Sequence, residues 1–200
     1  MEIIFRQTPN YSIGKQPKRG YVLHATIGGY RGAVEWLMNG NRPNRSSAHY
    51  VIGRAEGEVT QLVKDEDESW HAGNISNPGE YAKKYMLKNA DGTYVNPNRY
   101  TIGIEFASGY DMNSNGQIEP AERELTDWQY RCAIEIMRKN EALIPIKPDM
   151  MLISHKEIAD YKTDDMIFAR VELLRRMNVT PILADKQKIK EAIAILQSLL

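Results

Sequence analysis

The sequence contains one cysteine, Cys132, and only four histidines among its 200 residues. A single cysteine excludes a disulfide within the chain and a zinc site built from thiolates alone. The charges balance, because 26 Lys and Arg residues offset 26 Asp and Glu residues. A chain without a basic excess does not suit a general nucleic-acid binder or a protein held on anionic lipid by charge. We therefore expect no nucleic-acid partner.

Long hydrophobic runs are also missing, so the sequence predicts no membrane-spanning helix and no membrane insertion. Residues 1–20 contain no apolar segment of the signal-peptide type, and Arg6 lies where such a segment would be. We expect synthesis in the cytoplasm without a signal peptide. The hydrophobic fraction of 42% is sufficient for a packed core and speaks against a disordered chain.

Short apolar runs alternate with helical patterns, which predicts an α/β domain with a central mixed β-sheet flanked by helices. Strands are predicted at Tyr21–Thr26, His49–Arg54, Glu58–Val63, Thr101–Ala107 and Met150–Ser154, and helices at Arg31–Met38, Glu122–Lys139, Asp165–Arg176 and Lys186–Leu200. Thr126 and Gln129 fit a capping box, which offers a later start for the second helix. We expect one domain over residues 1–176 and an amphipathic C-terminal helix, an extension or the start of a linker, over 177–200.

The histidines and nearby charged residues suggest a metal site. His24 lies near the end of one predicted strand and His155 directly follows another, so the two imidazoles can meet at one edge of the sheet. A catalytic zinc ion takes three protein ligands and keeps one position open. A lysine such as Lys162 can stabilise an oxyanion, and Glu105 can act as a general base. Spacing alone does not say which two histidines pair.

Six stretches of the chain resemble the zinc-dependent N-acetylmuramoyl-L-alanine amidases. This group includes phage lysozyme-type amidases, muropeptide-recycling amidases and peptidoglycan recognition proteins. The stretches occur in the family's order: YVLHAT (Tyr21–Thr26), SSAHYVIGRAEGEVTQLV (Ser46–Val63), WHAG (Trp70–Gly73), TIGIEF (Thr101–Phe106), the helix opening at Thr126–Gln129, and SHKEIADYKTDD (Ser154–Asp165). Their common order is more specific than any one of them.

The resemblance implies that His24, His155 and Asp164 bind zinc and that Glu105 and Lys162 are catalytic. It also implies hydrolysis of the amide bond between N-acetylmuramic acid and L-alanine. Two departures from the family pattern bear on these roles. Asp165 follows Asp164 where members often have Pro-Gly, so Asp165 is a rival ligand. Some members carry a catalytic tyrosine where this chain has Ala48, which shifts the role of base toward Glu105.

The remaining site candidates are His49, Trp70 and His71, which we predict to bind substrate. We expect His49 to be a strand histidine that is hydrogen-bonded near the site rather than a ligand. His71 is expected to line the cleft, and Trp70 to offer its face to a sugar or peptide stem, with a core position as the alternative for Trp70. Cys132 lies on the apolar side of its helix and is expected to be an inert buried thiol.

A second metal site is predicted in a loop that matches the D-x-[DN]-x-[DN]-G-x₅-E calcium pattern. Its candidate calcium ligands are Asp111, Asn113, Asn115, Gln117, Glu119 and Glu122. The alternative is an asparagine-rich turn that caps the following helix.

The functional setting stays open at this point. The expected partner is peptidoglycan or a muropeptide, and we favour a phage or prophage endolysin, which would reach the wall through a membrane lesion. The alternatives are a cytoplasmic muropeptide-recycling amidase and a peptidoglycan-binding module without catalysis. Nothing in the sequence fixes the oligomeric state.

Overall fold

The computed structural model describes residues 1–26, 28–108, 124–162 and 166–178. Its strands are β1 (Ile4–Phe5), β2 (Tyr11–Ser12), β3 (Gly20–Thr26), β4 (Tyr50–Ile52), β5 (Val59–Gln61), β6 (Glu68–Ser69), β7 (Thr101–Ala107) and β8 (Met151–Ser154). Its helices are α1 (Tyr30–Met38), α2 (Glu80–Lys83), α3 (Asp127–Lys139), α4 (His155–Ile158) and α5 (Ile167–Arg176), with a 3₁₀ turn at Pro97–Arg99. No helix in these ranges is long and apolar enough to cross a membrane.

Six of the described strands form one mixed sheet in the order β1-β5-β4-β7-β3-β8. Strands β4, β7, β3 and β8 are parallel neighbours, whereas β5 pairs antiparallel with β4. Because parallel strands end at the same edge, residues late in β3, β7 and β8 come together there. The predicted mixed sheet flanked by helices is therefore confirmed.

One face of the sheet, here called the core face, is almost wholly apolar. Side chains alternate between faces along a strand, so every second residue of β3 and β7 points to this side. Its central members are Tyr21, Leu23, Ile102, Ile104 and Phe106, all fully buried. Buried side chains of α3 and α5 belong to the same cluster, including Cys132 and Leu173. Burial raises the pKa of the Cys132 thiol to about 12, as expected for an inert cysteine.

The opposite face, here called the site face, is polar at its centre. The alternate residues of β3 and β7 include His24, Thr101, Gly103 and Glu105. An apolar cluster lies on each side of this polar strip. One cluster includes Val22, Met151, Ile153, Ala82 and Ile158, and the other includes Val51, Leu62, Val34 and Leu37. Polar side chains are thus placed between two packed regions that hold the strands in register.

Most predicted elements are present with small shifts at their ends. Helix α3 begins at Asp127 with Thr126 as its cap, and both hydrogen bonds of the predicted capping box form. Strand β7 has the predicted bounds. The short elements β1, β2, β6, α2 and α4 have no counterpart in the sequence prediction. The helix predicted at Lys186–Leu200 lies outside the described residues.

Candidate active site

Parallel strands bring the first two predicted ligands together. His24 on β3 lies beside Glu105 on β7 in the strand register, and His155 is the first residue of α4, directly after β8. The Nδ1 atoms of His24 and His155 are 2.9 Å apart, although the residues are 131 positions apart in the chain. The structure therefore brings together the two histidines that sequence spacing alone could not pair.

The turn that carries His155 is fixed by a partly buried ion pair between Glu157 and Arg170. The Ser154 amide donates to Glu157 Oε2 at 2.9 Å, which completes a capping box at the start of α4. The Arg170 guanidinium on α5 donates to the same Glu157 oxygen at 2.6 Å and stacks over the Tyr81 ring at 3.8 Å. Glu157 thus ties the β8–α4 junction to α5, and this places the imidazole of His155.

His71 lies directly behind His24. The Nε2 atom of His24 is 3.0 Å from Nδ1 of His71, and the Nε2 atom of His71 is 3.1 Å from the Thr101 hydroxyl. The Asn98 side-chain oxygen accepts from the backbone amides of His71 and Ala72, at 3.1 and 2.7 Å. His71 is 8% exposed, and both of its ring nitrogens contact protein groups. This arrangement favours a supporting role for His71 over the predicted contact with substrate.

Gly103 permits this close approach. A Cβ atom at position 103 would lie 2.6 Å from Cγ of His71, far inside van der Waals contact. A glycine inside a strand often marks such a backbone approach. The glycine in TIGIE is therefore the sequence signal that something packs onto β7 at this point.

His49 lies next to the site and is fully buried, with no exposed surface. Its Nδ1 accepts from the Gly103 amide at 3.0 Å and contacts the Ser69 hydroxyl at 2.7 Å, and its Nε2 is 3.0 Å from the Asp67 carbonyl oxygen. A fully buried side chain cannot touch a substrate, so the assignment of His49 to substrate binding is corrected here. Its expected place as a hydrogen-bonded strand histidine fits these contacts.

Electrostatics keeps the site imidazoles neutral. Burial and the neighbouring imidazoles hold the pKa values of His24 and His71 well below the ordinary histidine value. Burial and the positive charge of Lys162 lower the pKa of His155 to about 3. The neutral imidazole is the form that binds metal ions. The positive charge of Lys162 contributes to the lowered pKa values of both His24 and His155.

The other predicted residues have less specific surroundings. Glu105 is half-buried, next to His24 across the strand pair. Lys162 is half-buried after α4, and its Nζ lies 5.4 Å from the centre of the Tyr161 ring. Trp70 is partly exposed, donates from Nε1 to the Ser12 hydroxyl at 3.0 Å, and has the Arg45 guanidinium 5.2 Å from its ring. The contact of Trp70 with a sugar or peptide stem stays a prediction.

Some predicted site residues lie outside the described part of the chain. These are Asp164, its rival Asp165, and the calcium-loop residues Asp111, Asn113, Asn115, Gln117, Glu119 and Glu122. Within the described ranges, no group of three His, Cys, Asp or Glu side chains is arranged to hold a metal ion. The third zinc ligand and the calcium site therefore stay predictions.

The described residues nevertheless fit a zinc ion. Two neutral imidazoles with their Nδ1 atoms turned toward one another supply two nitrogen ligands of the type zinc prefers. The second nitrogen of His24 is held by His71, as is usual for a metal-binding histidine. Lys162, whose charge lowers the pKa values of both rings, can act on a substrate carbonyl without being a ligand itself.

Comparisons with known proteins identify the family. The family description N-acetylmuramoyl-L-alanine amidase matches residues 14–166, which is more than half of the chain. The chain belongs to this family. N-acetylmuramoyl-L-alanine amidase A of Achromobacter lyticus is 34% identical over 96 residues, covering 48% of this chain. The matched stretch spans only 41% of that relative.

Solved structures show the same fold. AmpDh3 of Pseudomonas aeruginosa has a TM-score of 0.61 at 21% identity, covering 98% of this chain and 72% of that chain. AmiD of E. coli, in complex with the substrate anhydro-N-acetylmuramic acid-L-Ala-D-gamma-Glu-L-Lys, has a TM-score of 0.56 at 22% identity. That match covers 86% of this chain and 61% of AmiD.

Proposed function

We propose that this protein is a zinc-dependent hydrolase that cleaves the amide bond between N-acetylmuramic acid and L-alanine in peptidoglycan or its fragments. The observation that carries the proposal is the 2.9 Å approach of the His24 and His155 Nδ1 atoms, with Glu105 beside His24 in the strand register. Membership of the amidase family supports the choice of bond.

The residues that would hold zinc are His24, His155 and Asp164. Bound there, zinc would polarise the substrate carbonyl and make water a competent nucleophile at neutral pH. A third ligand that carries negative charge would partly balance the ion in a site whose other two ligands are neutral. Asp165 is the alternative third ligand.

Glu105 and Lys162 would perform the remaining steps. Glu105 accepts a proton as water adds to the lactyl carbonyl carbon, and delivers a proton to the departing L-alanine nitrogen. The Lys162 ammonium stabilises the negative charge that develops on the carbonyl oxygen. Cleavage of the C–N bond then leaves a carboxylic acid on the muramyl sugar and a free amine on the peptide, with one water consumed.

Mass spectrometry of digested peptidoglycan tests this assignment. The zinc-loaded protein is incubated with purified sacculi and, separately, with soluble muropeptides that contain the same bond. We expect glycans that end in a free lactyl carboxylate, together with peptides that begin at L-alanine. Cleavage at a glycosidic or peptide bond instead, or binding without cleavage, would contradict the proposal.

The same experiment separates the two biological settings. Faster cleavage of sacculi supports the predicted endolysin, whereas a strong preference for soluble muropeptides supports the recycling alternative.

The role of Lys162 is tested by substitution. Lys162→Met should bind zinc like the parent and lose turnover, and Lys147→Met is the matched surface control. Equal turnover of parent and Lys162→Met would remove Lys162 from the mechanism.

A further inference from the structure

A continuous row of hydrogen-bonded side chains runs from the proposed zinc position into the interior of the protein. It begins at His155 on α4, passes through His24 and His71, and ends at Thr101 at the start of β7. The three contacts measure 2.9, 3.0 and 3.1 Å. A histidine can place its proton on either ring nitrogen, so the groups at the end of such a row decide where each proton lies.

The donor and the acceptor can be assigned for the hydrogen bonds of Thr101, at the end of the row. The Thr101 hydroxyl lies 2.7 Å from the backbone carbonyl oxygen of Pro97. A carbonyl can only accept, so the single hydroxyl proton of Thr101 is donated there. The Thr101 oxygen must then accept from His71, which places the proton of His71 on Nε2.

The position of the His71 proton also decides which atom donates in the hydrogen bond between His71 and His24. With its proton on Nε2, neutral His71 presents a lone pair at Nδ1. His24 Nε2, at 3.0 Å, must therefore be the donor in this contact. In neutral His24 the remaining nitrogen, Nδ1, carries a lone pair, and this is the atom that faces His155. In the metal-free protein this lone pair accepts from Nδ1 of His155, which gives up that proton when zinc binds.

We propose that Thr101 and His71 are positioning residues that fix His24 with its proton on Nε2, so that the Nδ1 lone pair is presented toward the metal position. This inference rests on the proposed zinc site, but it concerns residues to which the sequence prediction gives no such part. That prediction places His71 in the substrate cleft and gives Thr101 no role.

The surroundings hold the row rigidly. Gly103 leaves room for the His71 ring on β7, and Asn98 fixes the backbone of the segment that carries it. Thr101 belongs to β7 and is fully buried. Loss of the Thr101 hydroxyl would therefore change the hydrogen bonding of the row with little change in its shape.

Thr101→Val is the decisive substitution, because it removes the hydroxyl and keeps the branched shape. The His71 Nε2 proton then loses its hydroxyl acceptor, which favours His71 with its proton on Nδ1. His24 must in turn accept at Nε2 and carry its proton on Nδ1, where zinc should bind. We expect zinc affinity to fall about 10- to 100-fold, the range found when a group behind a metal-binding histidine is lost.

Long-range proton–nitrogen NMR of histidine-labelled, metal-free protein reads the proton position directly. The parent and Thr101→Ser should show His24 protonated at Nε2, whereas Thr101→Val should show a new population protonated at Nδ1. Thr101→Ser should also retain parental zinc affinity. Thr60→Val, which removes another buried hydroxyl of the same sheet, is the matched control and should leave both readouts unchanged.

The two readouts separate this inference from the proposed function. An unchanged His24 proton position in Thr101→Val, or a parent His24 protonated at Nδ1, would overturn the positioning role. If the parent shows the expected proton positions but binds no zinc, the positioning role of Thr101 and His71 is supported and the proposed zinc-dependent function is contradicted. Loss of zinc affinity in Thr60→Val equal to that in Thr101→Val would mean a general packing effect and would also overturn the inference.

Discussion

The two faces of the central sheet are built from alternate residues of the same strands but have opposite energetic characters. On the core face, Leu23 and Ile104 are fully buried among apolar side chains, and such burial stabilises a fold by about 25 cal/mol per Å² of apolar surface. On the site face, the neighbouring residues His24 and Glu105 are polar. Burying polar groups costs free energy unless every one finds a partner.

This difference shows how the fold supports its site. The apolar packing of the core face stabilises the fold and so offsets the cost of burying polar groups on the site face. There, the imidazoles of His155, His24 and His71 and the hydroxyl of Thr101 form three successive hydrogen-bonding contacts. Lys18, two residues before β3, illustrates the cost of burying a charged group, since it is 5% exposed and its Nζ has no hydrogen-bond partner among the described residues. Substitutions on the two faces should therefore separate function from stability.

The largest effect is expected on the site face. His24→Ala or His155→Ala should abolish amidase activity and lower zinc affinity by more than about 100-fold, the upper end of the range for losing a supporting group. Zinc content by metal analysis and product release from sacculi measure the two losses. Thermal melting in EDTA is the control, and both losses are measured at a temperature where each metal-free variant is folded. Retained activity in both variants would contradict the site assignment.

On the core face, Ile104→Ala should produce the opposite result. Truncation of this fully buried side chain beneath α3 should lower the free energy of unfolding by about 2–5 kcal/mol. Zinc affinity, measured at a temperature where the variant is folded, should stay near that of the parent. Urea denaturation gives the first quantity and zinc titration the second. A large loss of zinc affinity would show that the two faces are coupled.

Lys18→Met should stabilise the protein, because burial lowers the pKa of Lys18 from 10.5 to about 8. The unfolded chain holds this proton more tightly than the folded protein, so the cost is fully present below about pH 8. It disappears as the pH rises toward 10.5, the unfolded value. The lowered pKa of Lys18 corresponds to a destabilisation of the folded protein by at most about 3 kcal/mol.

Urea denaturation of parent and Lys18→Met at pH 7 and at pH 9.5 measures the free energy of unfolding. The variant should exceed the parent at pH 7, and the difference should be smaller at pH 9.5. Lys15→Met is the matched control, since Lys15 is exposed and its loss should change stability by less than about 0.5 kcal/mol. A variant less stable than the parent at pH 7 would mean that Lys18 stabilises its acidic neighbours more than its burial costs.

The smallest effect is expected at the cap of α3. Thr126 accepts from the Gln129 amide at 3.2 Å, and Thr126→Ala should lower the free energy of unfolding by about 0.5–2 kcal/mol. Because α3 packs only on the core face within the described structure, zinc affinity should not change. A serine at position 126 should retain most of the stability, and a loss as large as that of alanine would exclude capping as the cause.

The elements that the sequence predicted are those with strong local signals. Strand β7 is a seven-residue run rich in apolar and β-branched residues, and α3 has both a capping box and a regular apolar stripe. Strand β1 has only two residues, and its partner is Thr60–Gln61 on β5, so no local pattern could reveal it. Its formation depends on a distant strand that is already in place.

The same distinction holds for the site. The pairing of His24 with His155 follows from their positions at the ends of parallel strands, and this geometry could be anticipated. The position of His71 behind His24 depends on a contact across 47 residues, which spacing does not encode. Only Gly103 carries a signal of it, as a strand glycine that allows close approach.

The most direct test of this account is a crystal structure of the zinc-loaded protein with anomalous diffraction measured at the zinc edge. One strong peak is expected at about 2.0–2.1 Å from the Nδ1 atoms of both His24 and His155. Asp164 or Asp165 should supply an oxygen ligand to the same ion. A peak at another position, or zinc bound through only one of these histidines, would contradict the central claim.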